Sequence, residues 1–383
     1  MTYAIPYLVL LTFYGILAFF YENVEDSQRR KQITIVAVIV FYVFFAFRGY
    51  LYTDWMSYVK YLENVEWDNV LSPEVKDTDV KEPGFALIAM ICKTVFDDYF
   101  FLVFVCTTID TLLFMRFLNR RGIDNVPLAF MLFITFEGLG IMFNLLRNAM
   151  TMFLFMNALE YIEKRKPLQY FAICLVAMTI HMSSLMYFPL YFFLHRKLNR
   201  WVFISVFFGC FLFYLSGTSI VMTIVKILGL DDSLGSKVEI YTELYSAERS
   251  LSITGTIEKF GLATLVFLYY DDIIDRFKGR IVIINSLLAY FILFYMLAEF
   301  NTLSYRMSML FLFSYWVLWG DIVKIFYVKN NRRIVSTVLF LYCFYVTMLA
   351  INTPCQEYDN ILFGAKGYQE RITILNRTYE DDK

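Results

Sequence analysis

The chain has 383 residues, of which 59% are hydrophobic and 18% charged, against roughly 25% charged in soluble domains, and this excludes an ordinary water-soluble globule. Its 34 basic and 35 acidic residues nearly cancel, to a net charge of -1, so nothing in the charge points to nucleic acid as a partner. The apolar residues come in blocks of roughly 15 to 20, the length that crosses a bilayer core of about 30 Å, which predicts an all-α polytopic membrane protein.

The first block, 3–21, lacks a basic leader and a small-residue cleavage site, so it is expected to be a retained span and not a signal peptide. Further blocks follow at 33–47, 85–96, 99–118, 126–143, 145–162, 168–181, 182–194, 201–219, 260–275, 281–298, 307–327 and 334–350. Six cysteines are scattered, five of them inside apolar blocks. They form neither a disulfide framework nor a metal-site spacing and are expected to be packing residues.

Between the blocks sit six basic clusters: Arg29 to Lys31, Arg116 with Arg120 and Arg121, Lys164 to Lys166, Arg196 and Lys197 with Arg200, Arg276 with Lys278 and Arg280, and Lys324 with Lys329, Arg332 and Arg333. The positive-inside rule places all of them in the cytoplasm, so an even number of crossings must separate any two. Only the interval from Lys31 to Arg116 fails, because three blocks lie in it. It is repaired if 85–96, too short to cross alone, is re-entrant or interfacial. The expectation is twelve spans plus that helix, with both termini outside. The pair 168–181 and 182–194 is read as two spans broken near His181 rather than as one helix of 27 residues, which would invert everything after it.

This organisation predicts a single transmembrane domain over 1–350, with outer loops 48–82 and 220–258 and an outer tail 351–383. Within the second loop, 220–228 and 238–247 have the pattern of amphipathic surface helices.

A charge near lipid costs on the order of 2.5 to 3.5 kcal/mol at a span centre, so those at the outer span ends invite a reason. Arg48 closes the second span and is followed by Asp54 and Tyr58. Glu82 precedes the re-entrant block, Asn144 and Arg147 open the sixth span, His181 sits at the predicted outer break, and Tyr305 and Arg306 start the twelfth span. Taken singly, such an arginine snorkels to headgroups as often as not. Asp54 could be a helix cap, Glu82 the partner of Lys81, and His181 a packing residue. Their joint placement on different spans is what points to a site. Asn144, Arg147 and Thr151 also share one helix face by spacing.

Guanidinium groups hold phosphates bidentately and stay charged at any working pH, so several could bind and stabilise a departing pyrophosphate. His181 is the only outward side chain whose ordinary pKa lies near neutrality. No metal site is predicted, because the outer face has a single His and no clustered Cys. The expected catalysis is metal-independent and uses no cofactor.

Phe47-Arg48-Gly49 with Asp54 and Tyr58, Glu82-Pro83-Gly84-Phe85, Phe143 to Ala149, and His181-Met182-Ser183-Ser184 resemble, in that order, the EpsG-like branch of the Wzy-type bacterial polysaccharide polymerases. Asn148 stands where the family more often carries Gln. The resemblance implies a GT-C-like fold and a polymerase of polyprenyl-pyrophosphate-linked repeat units of O-antigen, capsule or exopolysaccharide. It would sit in the bacterial inner membrane with its site facing the periplasm or exterior, and would move the growing glycan from its carrier to the non-reducing end of a new unit. Carried onto this chain, Arg147, Arg48 and Arg306 hold the pyrophosphate, His181 is the base with Asp54 as second candidate, and Glu82, Asn144, Tyr58 and Tyr305 bind sugar. Membrane lipid and a chain-length regulator protein are the expected partners. The rivals are an O-antigen ligase or another polyprenyl-dependent transferase of the same fold, and a flippase or other transporter of lipid-linked glycan.

Overall fold

Apolar runs bounded by polar caps become helices here because a backbone out of water must satisfy its own polar groups. The computed structural model describes residues 2–71, 81–218 and 252–381; the amphipathic stretches expected at 220–228 and 238–247 lie outside the described residues. Among those described the chain is helical, and its only β-type pairing is a bridge between Arg48 and Asn360. Several of the helices are apolar enough for a polytopic membrane protein. The chain divides into two compact units, one of residues 1–191 with 327–383 and one of 192–326.

In the first unit α1 (Ile5–Asn23) and α2 (Ser27–Ala46) form a hairpin. Asp26 caps α2 by accepting from the Gln28 and Arg29 amides, a contact worth about 1 kcal/mol. α3 (Trp55–Asn64) and α4 (Pro83–Val95) follow, then α5 (Tyr99–Arg120). The next span is bent: α6 (Val126–Phe133), a π-helical turn (Ile134–Gly138) and α7 (Leu139–Asn144). α8 (Leu146–Glu163) and α9 (Pro167–Ile180) pack side by side, and a 3-10 turn (Met182–Met186) leads to the short α10 (Tyr187–Leu190).

The basic clusters of this unit gather at one end. Arg121 pairs with Glu163 and Arg120 with Glu160. Arg332 pairs with Glu22 at 3.5 Å, and Asn125 Nδ2 donates to Glu22 at 3.1 Å. The carboxy-terminal end of α1, those of α5 and α8, and the start of α6 therefore lie together.

Two details bear on the expected spans. α4 starts at Glu82 beside α9, ends where Lys93 donates to the Glu63 and Val65 carbonyls, and gives way to α5, whose Tyr99 stacks on Tyr50. At 13 residues it is shorter than the helices long enough to cross a membrane. The 182–194 block, expected to be a helical span, is instead the 3-10 turn, four residues of helix and turns. It still returns: the Tyr170 hydroxyl donates to the Tyr187 carbonyl and Arg165 Nη1 to the Tyr191 carbonyl at 3.4 Å, which brings it back to the basic end.

α17 (Lys329–Ala350) lies against α1. The tail beyond it packs into the first unit. Tyr7 donates to the Gln356 carbonyl at 2.7 Å, Arg371 pairs with Asp359 at 2.6 Å, and α18 (Tyr368–Asp381) sets Tyr368 and Ile372 on the core around Trp55 and Phe85.

The second unit holds α11 (Arg200–Leu215), α12 (Ile253–Leu268), α13 (Tyr270–Arg276), α14 (Arg280–Met296), α15 (Asn301–Met309) and α16 (Phe313–Ile325), with a 51° bend between the last two. Arg280, counted above among the basic clusters, is buried in a two-bond ion pair with Asp321, at 2.6 and 2.9 Å. Asn285 ties α14 to the Leu194 and Arg196 carbonyls at 2.8 Å each, so basic residues of this unit too meet at one end.

Candidate active site at the end opposite the basic clusters

Glu82 is the residue before α4. Pro83 suits the first turn because its missing amide N–H needs no partner there. Gly84 lets α4 approach the end of α9: a Cβ there would stand 2.8 Å from the Thr179 carbonyl oxygen. This close approach brings the Glu82 carboxylate beside His181, which leaves α9 in an extended conformation with φ -155°.

The two oxygens of Glu82 are shared out. Oε2 accepts from Arg147 Nη1 at 2.6 Å and from the Lys81 amide at 3.1 Å; Oε1 accepts from His181 Nδ1 at 2.9 Å and from the Met182 amide at 3.2 Å. Burial pushes the Glu82 carboxyl up, but the hydrogen bond from His181, the Arg147 charge and the two amides outweigh it and hold the pKa at about 2. Glu82 is therefore ionised and acts only as an acceptor.

Arg147 opens α8 and sets its guanidinium 6.0 Å from the centre of the Tyr58 ring. Asn144, just before the break at Leu145, accepts three hydrogen bonds on Oδ1: from the Thr53 amide at 3.1 Å, the Thr53 hydroxyl at 3.1 Å and the Asp54 amide at 2.8 Å. It fixes the start of α3, on which Asp54 and Tyr58 lie. Ser183 donates to Asn148 Oδ1 at 2.8 Å, tying the turn after His181 to α8.

Arg147, Glu82, His181, Tyr58, Asn144 and Asp54 thus meet in the first unit, joined from four separated segments. Glu82 has its oxygens taken by protein groups and so positions its neighbours more directly than it meets a sugar. Tyr58 is buried, as is Trp55, which packs on Tyr50 and Tyr368.

Arg48 differs from the expectation of a phosphate ligand in an open site. It is 1% exposed, donates to the Phe45 carbonyl at 2.6 Å and the Thr107 hydroxyl at 3.0 Å, and lies over Phe143. The chain around it pairs with the tail: Ile361 N donates to the Phe47 carbonyl at 2.8 Å and Gly49 N to the Asp359 carbonyl at 3.1 Å. A Cβ on Gly49 would collide with the Asp359 carboxylate. Arg306 and Tyr305 belong to the second unit, both exposed on α15.

The hydrogen bonds of Thr53 and Ser183 and the packing of the 355–371 segment are not legible in the sequence. Motif spacing identifies the residues that bear charge, but a neutral hydroxyl or a tail that packs over Gly49 leaves no periodic trace.

No curated protein and no solved structure matches this chain. The family model described as EpsG family matches residues 6–361, nearly the whole length. The chain belongs to the EpsG family.

Proposed function

We propose that this protein is a polymerase of polyprenyl-pyrophosphate-linked oligosaccharide repeat units, acting at the outer face of the bacterial inner membrane with a GT-C-like arrangement. The observation that supports it most is the shared carboxylate: Glu82 holds a guanidinium and an imidazole at 2.6 and 2.9 Å. Family membership supports a role in polysaccharide polymerisation.

The chemistry follows from the hydrogen bonds. An ionised Glu82 accepts only, so the neutral imidazole carries its proton on Nδ1 and presents the Nε2 lone pair. The acceptor sugar hydroxyl gives its proton to Nε2 as its oxygen attacks the anomeric carbon of the donor. The bond from that carbon to the pyrophosphate oxygen breaks, and its electron pair leaves with the pyrophosphate. Arg147, oriented by Glu82, neutralises the charge that builds on this leaving group. Asp54, set by Asn144, meets the sugar. Arg48 is buried between α2 and α5, bonded to both, and is not carried forward as a phosphate ligand. The Arg147 guanidinium takes the role that a metal plays in other transferases. A chain-length regulator is the proposed protein partner.

The test uses the purified protein in vesicles with outward-facing lipid-linked repeat unit. Lengthening of lipid-linked glycan supports a polymerase; transfer of the glycan to a different acceptor supports a ligase, and movement across the bilayer without lengthening supports a transporter.

A further inference from the structure

Glu137 is the one exposed residue in 126–143, every other member of which is buried. A carboxylate within a span is expensive in lipid and is accommodated where it faces a water-filled space. The backbone is bent at this residue. Ile134–Gly138 is a π-helical turn in which Phe136 has φ -98° and ψ 77° and Glu137 has φ 62° and ψ 3°. A left-handed residue other than glycine costs on the order of 1 to 3 kcal/mol, and π-turns inside helices gather at functional sites. Position 138 admits only glycine, since a Cβ would strike the Phe133 carbonyl and ring. Position 137 has glycine's conformation and carries a carboxylate.

Its surroundings lead to the site. Tyr52, itself left-handed at φ 62°, is close enough that the Glu137 charge adds to the upward push that burial gives its phenol. Tyr52 immediately precedes Thr53 and Asp54, whose amides Asn144 holds. Asn144 lies seven residues further along the same bent span, next to Phe143, whose ring centre is 5.7 Å from that of Tyr52. Glu137 thus shares its span with Asn144 and is linked through Tyr52 to the shelf made by Asn144, Thr53 and Asp54.

We propose that Glu137 lines a water-filled recess beside that shelf and binds the glycan there, its carboxylate accepting hydrogen bonds from sugar hydroxyls. This rests on the polymerase reading above, and gives Glu137 a binding role while the bond-making groups remain Arg147 and His181.

The test has two arms in the full-length chain. Glu137→Cys in membranes is exposed to a charged, membrane-impermeant thiol reagent, with the parent, whose cysteines are buried apart from the half-buried Cys355, as background. The expected result is modification above that background, slowed about tenfold by lipid-linked repeat unit. In the second arm Glu137→Gln raises KM for the repeat unit about tenfold with kcat within about twofold, the signature of lost uniform binding. Glu137→Gly suits the left-handed backbone, so it should fold at least as stably as the parent and show the same rise in KM. Failure of the reagent to reach residue 137, modification that glycan does not slow while the parent polymerises, or a Glu137→Gly chain with parental KM would overturn the proposal. A parent that lengthens no glycan overturns it together with the reading beneath it, which separates the two failures.

Discussion

Glu82 and Arg147, 65 residues apart in the chain, form a 2.6 Å ion pair in which the side chains are 12% and 11% exposed. Because the other oxygen of the same carboxylate meets His181, one residue sets the orientation of both the cation and the imidazole.

Removing the cation should cost more than removing the base, since the leaving group departs without a proton if its charge is neutralised. Arg147→Ala is expected to lower glycan lengthening about 10³-fold and His181→Ala about 10²-fold. Arg147→Lys should restore little, because a single ammonium cannot hold a phosphate bidentately. Rates with lipid-linked repeat unit in vesicles decide the order; equal product from Arg147→Lys and the parent contradicts bidentate binding.

The pH behaviour of Glu82 has a definite sign. Its folded pKa of about 2 lies below the ordinary 4.5, so the stability it contributes is fully present above about 4.5 and is lost as pH falls through about 2. The stability difference between the parent and Glu82→Gln should therefore be constant from about pH 5 to 7 and shrink only below that. Thermal unfolding in detergent across this range measures it. A difference that already fades between pH 7 and 6 would mean that the carboxyl is not held so low.

Gly84→Ala should destabilise the protein by about 1 to 3 kcal/mol and reduce activity, because the new methyl would press on the Thr179 backbone and push Glu82 away from His181. Gly209→Ala, on α11, meets nothing within 4 Å and should be neutral or stabilising by up to about 1 kcal/mol. Parallel melting curves of the two variants check the contrast.

Arg371→Ala should cost about 3 to 5 kcal/mol, the penalty for leaving one member of a buried pair alone. Arg371 is 2% exposed, pairs with Asp359 and donates to the Glu357 carbonyl at 2.7 Å. A melting temperature equal to that of the parent would show that the tail does not stabilise the unit it packs against.

What the sequence by itself determined is the membrane class, most helix positions to within a few residues, and the reversal at His181. These follow from apolar length and charge bias, which act locally along the chain. It also pointed to Arg147, Glu82, His181 and Asn144, since a polar group at an outer span end stands out against an apolar background. Tertiary structure alone decided that Glu82 bridges two of them, that Arg48 is buried under the tail, and that Glu137 emerges from a buried span. Each of these depends on which helices touch, as at Gly84 against Thr179, or on a backbone bend such as the π-turn before Gly138. Close approach and backbone strain are set by packing between distant segments, and no periodicity in one segment records them.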